Sequence, residues 1–149
     1  MKTENLQSYI HTFIAAYGES ALREAMQQYI VDRQLYICRA KSHIARIPIR
    51  DICYLEIAQH NITIHTTHEV YKKYGTLNQE LKILSPFRYI KCNQNCVVSL
   101  NKIKIIQNND IILVDNTVLN SSRTYAPKVL TAFSRKIYSS NFDCSANPK

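Results

Sequence analysis

The sequence predicts a mainly β fold of small antiparallel sheets with a short internal helix and a C-terminal helix, preceded by an N-terminal helical hairpin. Two observations lead to this prediction. Apolar residues recur at helical spacing before residue 35, and from Leu35 onward short runs rich in β-branched and aromatic residues alternate with polar turns. A chain of 149 residues fits one main domain with appendages, because a single core typically serves about 100 to 150 residues.

Two amphipathic helices are predicted in residues 1–34. The first is interrupted by Gly18, and the second follows Ser20, which we take as its N-cap. A short isolated helix is marginal in water, so each apolar stripe should be buried against the main domain, another copy of the chain or a partner protein. The stripes consist of Leu6, Ile10, Phe13 and Tyr17, then Ala21, Leu22, Ala25, Met26, Tyr29 and Ile30.

Eight short strands are predicted after the helices, each bounded by polar residues that favour turns. The last two should join through Asp115 and Asn116, which tolerate positive φ and suit a two-residue hairpin turn. The predicted strands are residues 44–49, 54–58, 62–66, 89–92, 97–100, 103–107, 111–114 and 117–120.

Two further helices are predicted, one inside the β-rich block and one closing it. The internal helix begins at Thr76, where Thr-Leu-Asn-Gln forms a capping box, and Pro86 ends it. The closing helix must hold Pro127 in its first turn, so Thr124 is the predicted N-cap, with Pro127 at the third helical position and Arg123 just outside. Their apolar faces consist of Leu77, Leu81 and Leu84, then Val129, Leu130, Phe133 and Ile137.

The basic charge of the chain is concentrated in one block. The formal net charge is +8, and residues 33–136 contain 16 Lys or Arg against 6 Asp or Glu, whereas residues 1–32 contain 2 against 4. Such a surface attracts polyanions by releasing their condensed counterions, so nucleic acid is the leading partner class and anionic lipid a weaker one. An ordinary solvated basic surface is the alternative.

The sequence contains no apolar stretch of about 20 residues, the length of a membrane span, and its first residues lack the apolar run of a signal peptide. We therefore expect a cytoplasmic protein without membrane contact. Its cysteines are odd in number and scattered without a CxxC pair, which is typical of reduced structural thiols. They are Cys38, Cys53, Cys92, Cys96 and Cys144.

Catalysis is not expected, because two glycines are too few for a glycine-rich phosphate loop or a nucleophile elbow. Cys92 and Cys96 could form a thiol site with a histidine, yet free cysteines more often act as small buried hydrophobes. A metal site is not favoured either, since residues 65 and 68 of a strand point to opposite faces. The histidines considered are His60, His65 and His68. We predict no enzyme, no cofactor and no metal.

Two polar segments carry side chains suited to DNA. Segment 88–96 places amides and cations in an expected loop, where Asn and Gln can pair bidentately with adenine and Lys and Arg can anchor phosphates or read guanine. Arg123, beside Ser121 and Ser122, can reach into a groove while hydroxyls and helix N–H groups hold phosphate. The alternatives are an ordinary polar turn and a surface arginine.

In these segments and in the order of its elements, the sequence resembles the LytTR DNA-binding domain family of bacterial response regulators and related transcription factors, over about residues 35–138. Four ordered matches carry the resemblance. Residues 46–56, Arg-Ile-Pro-Ile-Arg-Asp-Ile-Cys-Tyr-Leu-Glu, are similar to the family's Ile-Pro-x-x-Asp-Ile-x-Tyr-Ile-Glu, and Tyr74-Gly75-Thr76-Leu77 leads into the leucine-lined helix. Residues 87–100 look like Phe-x-x-x-x-(Arg/Cys)-His-(Arg/Asn)-Ser-x-x-Val-Asn, and Ser122-Arg123 precedes a helix.

The resemblance implies an elongated arrangement of the sheets in which loops, rather than a recognition helix, enter successive major grooves of DNA. Three loops should contact DNA, and Lys91 and Lys102 are expected to contact phosphates. The preferred DNA sequence should differ from the family's usual one, because amides replace the family's His, Arg or Asn, and Ser, and Ser99 replaces its following Asn. His60 replaces a common Gly, so the conformation of the first loop should differ from the family's. The loops fall at His60 and Asn61, then at Asn93, Gln94 and Asn95, then at Arg123, and Ser122 beside it is a further candidate contact.

We therefore predict a sequence-specific transcriptional regulator that binds double-stranded promoter DNA with repeated sites. Residues 1–34 are predicted to form a homodimer or dock a regulatory protein, residues 35–138 to bind DNA, and residues 139–149 to form a flexible tail. The first 34 residues are too few for a receiver domain of about 120 residues, so control by phosphorylation of this chain is not expected. The alternatives are a protein-interaction anti-regulator with weakened DNA binding and an RNA binder, although the basic runs lack paired stacking aromatics.

Overall fold

Ten strands and four α-helices make up the part of the chain that the structure, a computed structural model, describes, which is residues 4–135. These residues fall into two units, the N-terminal helices up to Ile30 and the segment Val31–Arg135. None of the four described helices is long and apolar enough to cross a membrane. Ile137 of the predicted closing helix and the predicted tail, residues 139–149, lie outside the described residues.

Helices α1 (Glu4–Tyr17) and α2 (Glu19–Asp32) confirm the predicted pair of N-terminal helices. Gly18 separates them with a φ of 93°, a backbone conformation that glycine adopts readily. Because α2 begins at Glu19, Ser20 lies inside the helix, and its prediction as the N-cap is wrong. Several apolar side chains of both helices are more than half exposed, namely Leu6, Tyr9, Tyr17, Met26, Tyr29 and Ile30.

Strands β1 (Leu35–Arg39) and β2 (Ile44–Pro48) form a two-stranded antiparallel sheet. Strand β1 is not among the predicted strands, because its burial alternates whereas its residue types do not: Leu35 and Ile37 are apolar but exposed. Within it, Tyr36 and Cys38 are buried, whereas the other three residues are exposed. The β1–β2 pair therefore contributes one apolar face to the core.

The largest sheet has five antiparallel strands in the order β5-β4-β3-β7-β6. A meander of three consecutive strands is extended along β3 by a hairpin, which places β7 in the interior of the sheet. The short strand β5 is also missing from the predicted set. The bounds are β3 (Ile52–Ala58), β4 (Asn61–Thr66), β5 (Val70–Tyr74), β6 (Tyr89–Asn93) and β7 (Cys96–Ser99).

A three-stranded sheet consists of β8 (Ile103–Gln107), β9 (Asp110–Leu113) and β10 (Val118–Asn120). The predicted two-residue turn between the last two strands is wrong. Leu113 N donates to Thr117 O at 2.9 Å, so the loop contains three residues, 114–116. Asn116 has a φ of 72°, and three-residue hairpin loops require such a positive φ at their last residue.

Helix α3 (Leu77–Leu84) begins with the predicted capping box, in which Gln79 N donates to Thr76 Oγ1 at 3.3 Å and Thr76 N donates to Gln79 Oε1 at 3.4 Å. Helix α4 (Ala126–Ser134) has Tyr125 as its N-cap, so the prediction of Thr124 is wrong and Pro127 occupies the second helical position. The helix begins later than predicted because residues 123–125 form a separate turn.

Two apolar clusters cover opposite faces of the five-stranded sheet. Val97 belongs to the first cluster, with β1, β2 and α3, and Val98 belongs to the second, with β8, β9 and α4. Adjacent residues of a strand point to opposite faces, so this division follows from the strand geometry. With both faces covered, the turn residues Gln94 and Asn95 at one end of the sheet remain exposed.

Candidate nucleic-acid interface

Two turns lie side by side at one end of the five-stranded sheet. Gln59 and His60 join β3 to β4, and Gln94 and Asn95 join β6 to β7. The strands β3 and β7 are neighbours, and Ile57 N donates to Asn95 O at 3.0 Å. Neighbouring strands are about 5 Å apart, so the first and second predicted DNA-contacting loops occupy the same end of the sheet.

The second loop is held in place by the amide of Asn93. Asn95 N donates to Asn93 Oδ1 at 2.8 Å, and Asn93 Nδ2 donates to Asn120 O at 2.7 Å. A register shift between Lys91 and Asn93 accompanies this turn. Because both ends of its amide bond within the protein, Asn93 shapes the loop, whereas Gln94 and Asn95 are exposed at its tip.

The third predicted loop, around Arg123, is joined to the second. Ser122 N donates to Cys92 O at 3.0 Å, which extends the contact made by Asn93 at Asn120. Tyr125 adds a further contact, since its hydroxyl donates to Gln94 Oε1 at 3.2 Å. The amides and the exposed arginine therefore belong to one connected surface, although about 30 residues separate them in sequence.

The start of α4 offers fewer donors for phosphate than predicted. The N–H groups of Tyr125 and Ala126 donate to Ser122 O at 3.0 and 2.8 Å, and Pro127 has no N–H group. Ser121 is buried, and its hydroxyl donates to Asn109 O at 3.1 Å. The hydroxyl of half-buried Ser122 is a candidate phosphate donor of this segment.

The first loop has a strained residue at its tip. Gln59 adopts a φ of 60°, a region that residues other than glycine rarely occupy. Next to it, His60 is exposed, its carbonyl accepts from Gly75 N at 2.8 Å, and its ring centroid lies 5.4 Å from that of Tyr74. Asn61 begins β4 opposite Tyr74 and is also exposed.

Lys102 and Arg88 lie away from these turns. Strand β7 leads from the second loop to Ser99, and Lys102 follows at the opposite end, near the start of β3. Burial raises the pKa of the Cys53 thiol there, and the charge of Lys102 opposes this shift. The guanidinium of Arg88 donates to Asn101 Oδ1 at 3.2 Å and Ala132 O at 3.3 Å, so it bonds within the protein. A phosphate contact by Lys102 would involve DNA away from the loops.

Among the groups weighed as reactive or metal-binding sites, Cys92, Cys96 and His65 have structural partners. Cys92 and Cys96 are 0% and 6% exposed, and Cys92 Sγ lies 3.8 Å from Cys96 O. His65 Nε2 lies 2.6 Å from Glu56 Oε2, and its ring stacks on Tyr54, with centroids 4.1 Å apart. Within residues 4–135, no group of His, Cys, Asp and Glu side chains is arranged to hold a metal ion.

Tyr125 and Asn120 are part of the connected surface but were not predicted from the sequence. Tyr125 follows Arg123 by two residues, yet nothing in the local pattern indicates that its side chain reaches Gln94. Lys91, predicted as a phosphate contact, has its Nζ 5.7 Å from the centroid of the Tyr125 ring. The pairing depends on how α4 packs against the second cluster, which adjacent residues do not encode.

The part of the chain that contains these loops is similar to known proteins. The LytTr DNA-binding domain family matches residues 42–134. Among solved structures, a LytTr DNA-binding domain from Bacillus cereus is similar, with a TM-score of 0.58 over 69% of this chain and 99% of that domain, at 17% sequence identity. No curated protein matches the chain. At this identity, the likeness to the solved domain concerns the fold alone.

Proposed function

The chain belongs to the LytTr DNA-binding domain family, and we propose that it is a cytoplasmic, sequence-specific transcriptional regulator that reads the major grooves of double-stranded DNA with loop side chains. The proposal depends on one observation: hydrogen bonds join the second and third loops into one exposed surface. Base edges are read by side chains that project from a rigid support, and amides and arginine are the groups with the required donors and acceptors.

Within this surface, we assign different tasks to different side chains. Arg123 and Gln94 are the proposed base readers, with Asn95 beside them, because all three are exposed at the tips. Lys91 and Ser122 are the proposed phosphate contacts, since phosphate contacts position the protein and carry no sequence information. His60 and Asn61 would extend the contact along the DNA from the neighbouring turn.

The exposed apolar side chains of α1 and α2 support a second role for residues 1–34. Leu6, Tyr9, Met26 and Tyr29 are all more than half exposed, and large exposed apolar groups in clusters mark interaction sites. We propose that these helices form a homodimer or dock a regulatory protein. A dimer would place two DNA-binding domains on repeated sites, each domain spanning residues 35–138.

The test is selection from a random DNA library, followed by affinity measurements on the selected site and on random DNA. Arg123→Lys keeps the positive charge but lacks the bidentate fork of arginine, so it should lower affinity for the selected site about tenfold or more and change binding to random DNA little. Lys91→Ala should weaken binding to both DNAs and reduce the salt dependence by about one charge. Failure to select any preferred site would contradict the proposal.

A matched control is Lys128→Ala, which removes an exposed lysine from α4 outside the loops. It should leave the selected sequence unchanged. If the wild-type protein binds all DNA weakly while residues 1–34 capture a protein partner, the anti-regulator alternative is supported instead.

A further inference from the structure

Tyr125 contacts both kinds of DNA-binding side chain in the connected surface. It occupies the N-cap position of α4, two residues after Arg123, and its hydroxyl donates to Gln94 Oε1 at 3.2 Å. On the same side chain, the ring centroid lies 5.7 Å from Lys91 Nζ, within the range of a cation–π contact. One half-buried tyrosine therefore touches a proposed base reader through its hydroxyl and a proposed phosphate contact through its ring.

The hydrogen bond from Tyr125 occupies one acceptor position of the Gln94 amide. A glutamine amide has an acceptor oxygen and a donor nitrogen, and a bidentate pair with adenine uses both. Here the oxygen accepts from Tyr125 with one of its two lone pairs, so the amide keeps two N–H donors and a single acceptor position. Guanine offers two acceptors in the major groove, N7 and O6, whereas adenine offers an acceptor and a donor. The oriented amide therefore matches guanine better than adenine.

The bond also reduces the conformational cost of recognition. A free glutamine side chain at a loop tip samples many rotamers and must lose that freedom when it contacts a base. A side chain held in one orientation before binding has less freedom to lose, which favours affinity and specificity. The hydroxyl of Tyr125 supplies this restraint from a different element, the start of α4.

We propose that Tyr125 is a positioning residue that fixes the Gln94 amide as a hydrogen-bond donor and thereby sets a preference for guanine over adenine at one base pair. The inference rests on the proposed function, because a base preference requires a preferred DNA site. Tyr125 would act through Gln94 and need not contact DNA itself.

Two substitutions separate the hydroxyl from the ring. Tyr125→Phe removes the hydroxyl and keeps an aromatic face beside Lys91, so the restraint on Gln94 is lost while the cation–π contact stays. Tyr125→Leu removes both. Urea unfolding of each variant would establish that the fold is retained, and Gln94→Ala identifies the base pair that Gln94 reads.

The experiment measures affinity for the selected site and for the same site with guanine replaced by adenine at the Gln94 base pair. Loss of one hydrogen bond should reduce the preference for guanine about threefold to tenfold in Tyr125→Phe, with the salt dependence unchanged. Tyr125→Leu should reduce the preference as much and also alter the salt dependence. In a Gln94→Ala background, Tyr125→Phe should have no further effect on the preference.

The outcomes separate the inference from the function on which it rests. If the wild-type protein selects no preferred site, the proposed function fails and the inference fails with it. If a preferred site exists but Tyr125→Phe keeps the full preference for guanine, the inference alone is overturned. The same holds if Tyr125→Phe reduces the preference equally with and without Gln94.

Discussion

Two polar networks in the segment Val31–Arg135 each contain a tyrosine hydroxyl but differ in burial. The buried network consists of Tyr36, Lys73 and Glu80, and the loop network consists of Asn93, Gln94, Asn120 and Tyr125. In the buried network, Glu80 is 2% exposed, the Tyr36 hydroxyl donates to its carboxylate, and Lys73 Nζ lies 2.9 Å from Glu80 Oε2. Burial and the neighbouring carboxylate raise the pKa of Tyr36, so the hydroxyl stays protonated and remains a donor.

The buried network is closed, because its polar groups bond to one another, whereas the loop network is open, because some of its donors and acceptors face solvent. Asn93 bonds to Asn95 and Asn120, and Tyr125 bonds to Gln94, yet Gln94 and Asn95 are exposed. Their remaining donors and acceptors face solvent, where water satisfies them until a ligand replaces it. A closed network of this kind contributes to stability and specificity of the fold, whereas an open one leaves capacity for recognition.

Burial separates the roles of the two networks: the buried one stabilises the fold, and the exposed one keeps donors and acceptors for binding. An unpaired polar group costs much free energy inside the protein and almost none at the surface. Substitutions in the buried network should therefore change the free energy of unfolding, and substitutions in the loop network should change DNA recognition.

The largest expected effect is that of Glu80→Ala. Removing one partner of a buried ion pair leaves Lys73 and the Tyr36 hydroxyl without their acceptor, which should lower the free energy of unfolding by about 3 to 5 kcal/mol. Urea unfolding followed by circular dichroism measures the change. Glu80→Gln is the matched control, since it keeps an acceptor for Tyr36 and should cost less. A loss below about 1 kcal/mol for Glu80→Ala would contradict the importance of burial.

Asn93→Ala should lower DNA affinity more than it lowers the free energy of unfolding. It removes two exposed hydrogen bonds, so the free energy of unfolding should fall by only about 1 kcal/mol, since such bonds contribute modestly. The tip of the loop would lose its support, and affinity for the selected DNA should fall about tenfold. Unfolding and DNA titration on the same preparation give both values. A stability loss as large as that of Glu80→Ala would contradict the assignment of Asn93 to DNA recognition.

The smallest expected effect is that of Asp115→Ala, because the carboxylate of Asp115 is exposed whereas that of Glu80 is buried. Asp115 Oδ1 accepts from Thr117 N at 3.0 Å, and this hydrogen bond lowers the pKa of Asp115. A lowered pKa in the folded state adds stability above the unfolded value of about 4, and this stability is lost as the pH falls. Asp115→Ala should destabilise the protein by less than about 1 kcal/mol at about pH 7 and by less still near pH 2. If the loss in the free energy of unfolding is as large at acid pH as at neutral pH, the charge of the Asp115 carboxylate does not contribute to it.

Much of the fold was predictable because it follows local rules. The capping box at Thr76 depends on residues three positions apart, and the central strands follow from alternating or continuous apolar runs. The errors occur where several local choices cost nearly the same. Ser20 and Thr124 are acceptable N-caps by type, yet Gly18 and the turn before Tyr125 set where α2 and α4 begin. Strands β1 and β5 were missed because their burial alternates while their residue types do not, since exposed positions such as Leu35 and Val70 are apolar.

The mainly β class, the basic charge and the family resemblance follow from the sequence alone, and the match to the LytTr DNA-binding domain family confirms the resemblance. The sequence also supplied the amides and the arginine as candidate DNA contacts, which stay predictions. Only the tertiary structure decided that Asn93 supports its loop and that Tyr125 holds Gln94. It also separated Lys102 from the loops. Such contacts join residues about 30 positions apart, and they form only when both elements pack on the same sheet.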